Sequence, residues 1–541
     1  MSPAHDLHRT LFGFRLMSGP FLLLVALVVL AAALLAVAGA SGCSPAFKAS
    51  RRVESPPDFA PRRGIVSEPV DEPLLFADVA IWRDGQAHSG RYVHVEAGKI
   101  VSVTTTPPAQ FEGRVIDGRG KTLIPGLIDS HLHLLYDSGP DLLTRGDALI
   151  SGWVEKTARG NRVPDEVYAR GELRLLAGVT TVRVLGDGMY SLRYRDEIAL
   201  GLRVGPRVLT AGLHVNGPAG YVTGGIGAKV PAEDQPHVAV ELRDFSEIAP
   251  KLTALLDTGV DVIKLATTHG DLGFHDAKPD LPEEWVREIV RVSHARGVKV
   301  TAHSYGLEGD WAAVRGGVDG IEHLVNVPRP LEQDLVAAIK AADIAVCPTL
   351  SGSAHSVHKA LTQPQWLNDD RGVASHVSPE TRKDILRTVA VMQLPGFTRF
   401  ALGEPEAEAK WAHWHAQSIA NTRKLHEAGV RLIFGTDAPF VMGNFFHSVG
   451  NEIEALRLAG IGDAEILEMA TTRAADALGL AQTAGRIEEG LEADLVLLPH
   501  SPDSDLKGAL EQLELVVARG RVVYQRVSAD GTAAEATARA P

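Results

Sequence analysis

Two histidines separated by one residue, His131 and His133, close an apolar run that starts at Thr122. Side chains two residues apart in a strand point to the same face, so both imidazoles can aim at one point. Neutral imidazole is the commonest metal ligand among protein side chains. Because a His-x-His pair on its own is weak support for a metal site, further ligands are needed downstream.

Four more polar side chains follow apolar segments further along the chain: Lys264, His303, His323 and Asp437. Any one of them can be explained as a turn cap or an ordinary loop residue. Six such residues at five predicted strand ends are poorly explained by coincidence. Burying all of them without a metal ion would cost several kcal/mol apiece. The set therefore predicts a metal centre.

The segments that must position these residues alternate between β-rich and helical patterns. A first strand is predicted at Leu123–His131, and apolar stripes such as Ile248, Leu252 and Leu255 predict helices between the later strands. Those strands are predicted at 179–185, 207–215, 260–267, 298–303, 320–323, 344–350 and 432–437. Eight such units predict an α/β fold with a (β/α)8 TIM barrel over residues 123–479, whose active site lies at the carboxyl ends of the strands.

Short strand patterns lie on both sides of the barrel segment, for example at Phe76–Trp82 and Ala493–Leu498. Residues 71–122 and 480–526 are therefore predicted to form one small β-sandwich domain built from both chain ends. The last residues, 527–541, are rich in alanine and threonine and are expected to be disordered.

Residues 351–410 form an insertion after the seventh predicted strand, with prolines at 364, 379 and 395. A long connection at this end of a barrel is expected to lie over its mouth as a lid-like wall. We interpret its histidines, His355, His358 and His376, as surface residues, and treat His413 and His415 of the following helix in the same way.

The N-terminus has the pattern of an export signal: Arg9 and Arg15 precede an almost wholly apolar stretch at 21–39. The small residues before Cys43 resemble a bacterial lipoprotein box, in which the cysteine is lipidated. We predict a signal peptide over 1–42, a lipidated tether over 43–70, and an exported cell-envelope lipoprotein facing the periplasm or on the outer membrane. The alternative is a transmembrane anchor, because 19 apolar residues can just span a bilayer.

Composition limits the partners of the chain. At 541 residues, with 45% hydrophobic and 22% charged residues, it has the profile of a globular protein with more than one core. The formal net charge is −13 and there is no long basic run, so nucleic acid is not expected as a partner. The expected partners are a small-molecule substrate and a membrane reached through lipid on Cys43, and an oligomer stays open. Only Cys347 would remain besides Cys43, so no disulfide framework is expected.

Two long segments resemble the amidohydrolase superfamily of metal-dependent hydrolases. Residues 115–133 (VIDGRGKTLIPGLIDSHLH) are similar to the opening motif of that family, and residues 485–497 (GRIEEGLEADLVL) to its closing motif. The resemblance covers nearly all of residues 75–525. Lys264 matches the barrel lysine that two-metal members carry as a carbamate, which points to the imidazolonepropionase-like and prolidase-like branch.

The resemblance implies a binuclear centre. His131, His133 and Asp437 would hold one divalent ion, His303 and His323 the other, and Lys264, converted by CO2 to a carbamate, would bridge them. Zn²⁺ suits such a His-rich set, and Mn²⁺, Fe²⁺ and Co²⁺ stay open. A hydroxide shared by the two ions would attack the scissile carbonyl, and Asp437 would act as base and then as acid. The alternative for Lys264 is an outward ion pair with a loop carboxylate such as Asp271.

Other polar residues are candidate substrate contacts. Where family members often have His-Ala-His, this chain has His-Ser-Tyr, so Tyr305 is predicted to touch the substrate. His214, His269 and His447 are further candidates, with ordinary loop roles as the alternative. The glycine-rich segment 216–225 is interpreted as a loop at the barrel mouth; a phosphate cradle is disfavoured because no Gly-Lys-Ser/Thr follows.

Three functions compete on these residues. The favoured one is a binuclear metallohydrolase that cleaves an amide C–N bond in a dipeptide, including Xaa-Pro and Xaa-Xaa dipeptides, or in an N-acyl amino acid. An esterase or lactonase would use the same metal centre with a different leaving group. A non-catalytic, solute-binding envelope lipoprotein is disfavoured. A barrel that no longer catalyses a reaction would be expected to have lost metal ligands, and all six are present.

Overall fold

The structure is a computed structural model that describes residues 65–66, 69–134, 163, 165–218, 220–222, 235–269, 278–363, 407–438, 444–503 and 505–526. The predicted signal peptide, the alternative anchor at 21–39, most of the tether, most of the lid-like insertion and the C-terminal tail lie outside these residues. Among the described helices, none has both the length and the apolar character needed to cross a membrane.

Both ends of the described chain contribute to one eight-stranded mixed sheet. Its strands are β1 (Leu74–Arg83), β2 (Gln86–Glu96), β3 (Lys99–Thr104), β4 (Arg114–Asp117), β5 (Thr122–Pro125), β15 (Leu495–Leu498), β16 (Leu515–Ala518) and β17 (Arg521–Gln525). They run in the order β17-β16-β15-β5-β1-β2-β3, and β4 pairs with β1. Phe76, Val93 and Leu495 are among the residues of its buried core. The predicted two-sheet sandwich is not confirmed, because these strands form a single sheet.

Nine strands between the two halves of this sheet build the parallel part of the fold. They are β6 (Leu127–Leu132), β7 (Val179–Val184), β8 (Arg207–Thr210), β9 (His214–Asn216), β10 (Ala239–Glu241), β11 (Val262–Ala266), β12 (Lys299–His303), β13 (Gly320–Glu322) and β14 (Ala345–Cys347). Strands β6, β7 and β8 form one parallel sheet, and β10-β9-β11-β12-β13-β14 form another.

Backbone hydrogen bonds connect these two parallel sheets into a TIM-barrel-like α/β fold. The amide of Asp261, just before β11, donates to Thr210 of β8 at 2.8 Å. The amide of Ile433 donates to Val346 of β14 at 3.0 Å, and the amide of Ser130 in β6 donates to Phe434 at 2.9 Å. The eighth strand, predicted at 432–437, is held by isolated bridges at Leu432 and Ala438 instead of a continuous ladder. Over the described residues no single closed sheet forms.

The predicted first strand at Leu123–His131 is divided into β5 and β6 at Gly126. A Cβ atom at Gly126 would lie 2.0 Å from Thr180 Oγ1, so no larger residue fits this close approach. The two pieces have different partners: β5 pairs with β15 of the mixed sheet, and β6 pairs with β7 of the barrel. Gly126 is therefore where the chain passes from one sheet to the other.

Helices connect and cover the strands. They are α1 (Asp165–Leu176), α2 (Tyr190–Ala199), α3 (Ile248–Asp257), α4 (Glu283–His294), α5 (Leu307–Gly316), α6 (Gln333–Ala341), α7 (Ser356–Thr362), α8 (Ala407–Glu427), α9 (Asn444–Leu458), α10 (Asp463–Met469), α11 (Thr472–Leu478) and α12 (Leu506–Glu511). The predicted apolar stripe of Ile248, Leu252 and Leu255 is buried in α3, at about 1.5–3 kcal/mol per fully buried side chain. Residues 463–478 form two helices, α10 and α11.

Candidate metal centre

Five of the six predicted metal ligands lie at or just beyond the carboxyl ends of strand segments. His131 lies in β6, His133 follows it, and His303 ends β12. His323 directly follows β13, and Asp437 lies in the eighth segment. Lys264 was predicted to end its strand, but it lies in the middle of β11. All six side chains are buried, and the most exposed of them, His133, is 7% accessible.

The carboxylate of Asp437 is the meeting point of three imidazoles. Its Oδ1 atom lies 3.4 Å from Nε2 of His131 and 3.2 Å from Nε2 of His133. Its Oδ2 atom lies 3.7 Å from Nδ1 of His323. Ligand atoms of His131, His323 and Asp437 all lie within 4.8 Å of one another. The ring of His303 is 4.9 Å from the ring of His323, which places it beside this group.

Two members of the cluster have no hydrogen-bond partner among the described residues. They are Lys264, through its Nζ atom, and His303, through both ring nitrogens. Burial is the main cause that lowers the pKa of Lys264 to about 8, against the opposing charges of Glu322 and Asp437. Burial, followed by the charge of Lys264, holds the pKa of His303 well below its usual value. Buried polar atoms without partners are costly, so these atoms point to a missing group.

Outer hydrogen bonds fix three of the imidazole rings. Nδ1 of His133 donates to Asp187 at 2.6 Å, and Nδ1 of His131 donates to Glu322 at 2.8 Å. Nδ1 of His323 bonds the hydroxyl of Thr349 at 2.7 Å. Such partners orient imidazole ligands and increase their basicity. They leave Nε2 of His131 and His133 facing Asp437.

Neighbouring opposite charges outweigh the effect of burial on the pKa values of two residues in the site. Burial opposes a charge on His133, but Asp187 and Asp437 outweigh it and raise the pKa of His133 to about 9. Glu322 is likewise buried, but Arg183 and Lys264 outweigh the burial and lower its pKa. Nη2 of Arg183 donates to Glu322 at 2.6 Å, so the carboxylate that accepts from His131 is also part of a buried ion pair.

Two of the ligand candidates have an unusual backbone conformation. The φ angle is +68° at His323 and +52° at Asp437, and Thr349, the partner of His323, has +50°. Left-handed conformations of residues other than glycine are uncommon and cost about 1–3 kcal/mol each. Such strain clusters at functional sites, where the surrounding structure holds it in place.

The donor set fits a divalent metal centre. Four imidazoles, one carboxylate and one amine converge, and imidazole-rich sets suit Zn²⁺ and its neighbours. A second grouping, His131, Glu322 and Cys347, also lies within ligand distance. It fits a metal less well, because Glu322 is already paired with Arg183 and burial raises the pKa of the Cys347 thiol well above its usual value.

The predicted substrate contacts are spread around the centre. Tyr305 is buried, with its ring 4.6 Å from the ring of His303 and 5.3 Å from that of His323. His214 is buried, and neither of its ring nitrogens has a partner among the described residues. His269 is half-buried in the segment that follows β11, where the described residues end. His447 lies in α9.

The structure also contains site residues that our sequence prediction missed. Asp187 and Glu322 hold the two histidines of the His-x-His pair, and Tyr221 packs on His303 with ring centroids 3.7 Å apart. Asp187 follows the second barrel strand by three residues, and Glu322 directly precedes His323. Their positions beside predicted strand ends were the signal that could have found them.

The interpretation of His355 as a surface residue is wrong. It is 6% accessible, and its Nδ1 lies 3.1 Å from Nε2 of His415, which is 9% accessible. His358 is half-buried and stacks on His415 at 4.2 Å. His413 is exposed, as expected, and His376 lies outside the described residues. The packing of α7 against α8 buries these rings, which sequence pattern alone did not reveal.

Comparisons with known proteins agree with this geometry. The model of the Amidohydrolase family matches residues 122–523. An uncharacterised protein of Mycobacterium tuberculosis is 23% identical over 417 residues, which cover 77% of this chain and 89% of that protein. An imidazolonepropionase of Geobacillus sp. is 24% identical over 497 residues, covering 85% of this chain and 93% of the relative.

A solved structure supports the fold. The crystal structure of an Xaa-Pro dipeptidase with methionine bound in its active site superposes with a TM-score of 0.62 and 22% identity. The match covers 84% of this chain and 100% of that chain. At this identity the likeness concerns the fold, and it agrees with a TIM-barrel-like architecture.

Proposed function

The chain belongs to the amidohydrolase family, and we propose that it is a binuclear metal-dependent hydrolase that cleaves amide C–N bonds in dipeptides or N-acyl amino acids. The family and its imidazolonepropionase and Xaa-Pro dipeptidase neighbours support a metal-dependent hydrolase acting on carbon–nitrogen bonds. The substrate class within that range, and the number of metal ions, are our proposal.

One observation carries the proposal: the unpartnered Nζ of Lys264 and the unpartnered ring nitrogens of His303 are buried beside the cluster around Asp437. Buried polar atoms without partners are costly, and these two residues lie among the other candidate metal ligands. We assign His131, His133 and Asp437 to one divalent ion and His303 and His323 to the other. Bound there, such ions would polarise a scissile carbonyl and lower the pKa of a water molecule.

Lys264 is proposed to bridge the two ions as a carbamate. Its neutral amine would attack CO2, forming an N–C bond and releasing one proton to solvent, and the product carries two carboxylate oxygens. The lowered pKa of Lys264, about 8, supports the neutral amine that this reaction needs. An unmodified ammonium would repel cations, so the modification turns an unfavourable charge into a favourable one.

Asp437 is proposed to handle the protons of the reaction. Its carboxylate is buried, with each oxygen beside an imidazole of the centre. We propose that it accepts the proton of the attacking water and then delivers it to the leaving amine nitrogen. The buried imidazoles around it orient the carboxylate and exclude bulk water from this transfer.

The test is a metal analysis combined with a substrate screen. Purified protein is expected to contain about two divalent ions per chain and to hydrolyse members of a library of dipeptides and N-acyl amino acids, with activity lost on chelation and restored by metal. Each amide is paired with its ester analogue, so that an esterase or lactonase is distinguished. Protein that is loaded with metal but cleaves neither series would refute the proposed function.

We further propose, from the sequence alone, that the protein is an exported lipoprotein of the cell envelope, attached through lipid on Cys43. Stable attachment requires more than one acyl chain, because a single chain binds membranes only marginally.

A further inference from the structure

The glycine-rich loop at the barrel mouth surrounds a carboxylate of the protein itself. The amide of Gly217 donates to Oδ1 of Asp280 at 3.0 Å, and the amide of Tyr221 donates to Oδ2 at 3.3 Å. A Cβ atom would lie 2.3 Å from Asp280 Oδ1 if added at Gly217, and 2.2 Å from Oδ2 if added at Gly220. The loop therefore needs glycine at these two positions so that its backbone can close on the carboxylate.

Asp280 is in turn fixed to the barrel. Its own amide donates to the carbonyl of Thr267 at 2.8 Å, one residue beyond β11. The neighbouring Pro279 forms an isolated antiparallel bridge with Thr268. Asp280 thus ties the loop after the third barrel strand to the end of the fourth, the strand that carries Lys264. We call Asp280, Gly217, Gly220 and the Tyr221 amide the loop clamp.

The loop clamp ends at the aromatic ring of Tyr221, which packs on His303, one of the candidate metal ligands. The ring of Tyr221 lies 3.7 Å from the ring of His303, at an angle of 33°. The ring of Tyr305 also meets His303, edge-on, at 4.6 Å. The Tyr221 side chain ends in a phenolic hydroxyl, which can donate one hydrogen bond.

We infer that Tyr221 contacts the substrate, donating a hydrogen bond from its hydroxyl to an oxygen acceptor beside the scissile bond, and that Asp280 is the positioning residue that holds Tyr221 over His303. This inference rests on the proposed function for the reaction itself. The contacts between Asp280 and the loop, and between Tyr221 and His303, belong to the protein without substrate.

A double-mutant cycle tests both roles. Tyr221→Phe keeps the ring on His303 and removes only the hydroxyl, and Asp280→Asn removes one of the two carboxylate acceptors. Each is expected to lower kcat/KM by about 10-fold or more, the range of one or two lost hydrogen bonds. The kcat/KM of the double variant should equal that of the less active single variant, because Asp280 acts through Tyr221. Losses that multiply in the double variant, or unchanged kcat/KM in either single variant, would overturn the inference.

The split between the kinetic constants locates the hydrogen bond. If Tyr221→Phe has a lower kcat, the hydroxyl donates to the oxygen on which negative charge develops in the transition state. If only KM rises, the hydroxyl stabilises the bound substrate and the transition state to the same extent. Matched controls are Tyr168→Phe, whose hydroxyl bonds Glu197, and Asp244→Asn, whose carboxylate accepts from Ser246. Both should leave kcat/KM unchanged.

Two further measurements need no hydrolysis. Amide hydrogen exchange at Gly217 and Tyr221 should accelerate in Asp280→Asn and not in Tyr221→Phe, and equal exchange in wild type and Asp280→Asn would refute the clamp. Acetate, which carries oxygen acceptors and no scissile bond, should bind metal-loaded Tyr221→Phe several-fold more weakly than wild type. Equal acetate affinity would refute the contact. Failure of the proposed function is recognised separately, by wild-type protein that cleaves nothing in the library.

Discussion

Replacing Glu322 by alanine should weaken both the fold and the metal centre. Glu322 is 1% accessible and accepts hydrogen bonds from His131 at 2.8 Å, from Arg183 at 2.6 Å and from the hydroxyl of Thr301. Arg183, itself 5% accessible, would keep its bond to the carbonyl of Ser130 but lose its counter-charge. Breaking a buried ion pair by removing one partner costs about 3–5 kcal/mol.

The effect on the metal centre has a different origin. Without Glu322, no carboxylate holds Nδ1 of His131, so the ring loses its fixed tautomer and orientation. Removing such an outer partner typically lowers metal affinity by about 10–100-fold. The two losses can be separated, because Arg183→Ala/Glu322→Ala removes both charges. The double variant should recover part of the unfolding free energy and none of the metal affinity.

Urea unfolding of metal-free protein measures the first loss, and a competition titration with a chromogenic chelator measures the second. Glu288→Ala is the matched control, because Glu288 pairs with the exposed Arg291 on the surface of α4 and its loss should change neither quantity. The reasoning is refuted if Glu322→Ala binds metal as tightly as wild type. It is also refuted if the double variant is as unstable as Glu322→Ala.

Three further outcomes are expected. Asp437→Asn should lower kcat by about 10²–10⁴ with an unchanged circular dichroism spectrum, because an amide cannot accept the proton; near-normal turnover would remove Asp437 from the chemistry. Burial, aided by His355 and His358, lowers the pKa of His415 from 6.5 to about 3, so the folded protein should lose stability as pH falls through that window. His415→Gln should flatten the fall of Tm with pH, and an identical slope in both proteins would contradict this. Cys43→Ala should abolish incorporation of labelled fatty acid, and a wild-type chain that is never labelled would refute the lipoprotein proposal.

The metal-ligand candidates were accessible from sequence because each lies in or directly after an apolar strand segment. Alternation along a strand is local, so the shared direction of His131 and His133 follows from two positions alone. The carboxyl ends of parallel strands meet at one face, and this brings His303 and His323 together from two consecutive strands. The rings of these two residues do lie 4.9 Å apart.

The residues that support the ligands were not accessible in the same way. The partner of His131 is Glu322, 191 residues later, and no local pattern links the two. The packing of His355 against His415 depends on how α7 and α8 meet. Neither contact follows from the spacing of residues along the sequence.

Tertiary pairing also decided the limits of the strands. The run from Leu123 to Ile128 has no polar interruption, yet β5 and β6 separate at Gly126 because they join different sheets. The eighth segment has the composition of a strand, but it forms only isolated bridges at Leu432 and Ala438, and Asp437, next to Ala438, has a left-handed backbone conformation.

The most direct test of the metal centre is a crystal structure of metal-loaded protein, with anomalous diffraction measured on both sides of the absorption edge of the bound metal. We predict two anomalous peaks, one among His131, His133 and Asp437 and one between His303 and His323. Density for a carboxylated Lys264 should lie between them. A bare amine at Lys264, with one ion or none in a fully active sample, would contradict the account.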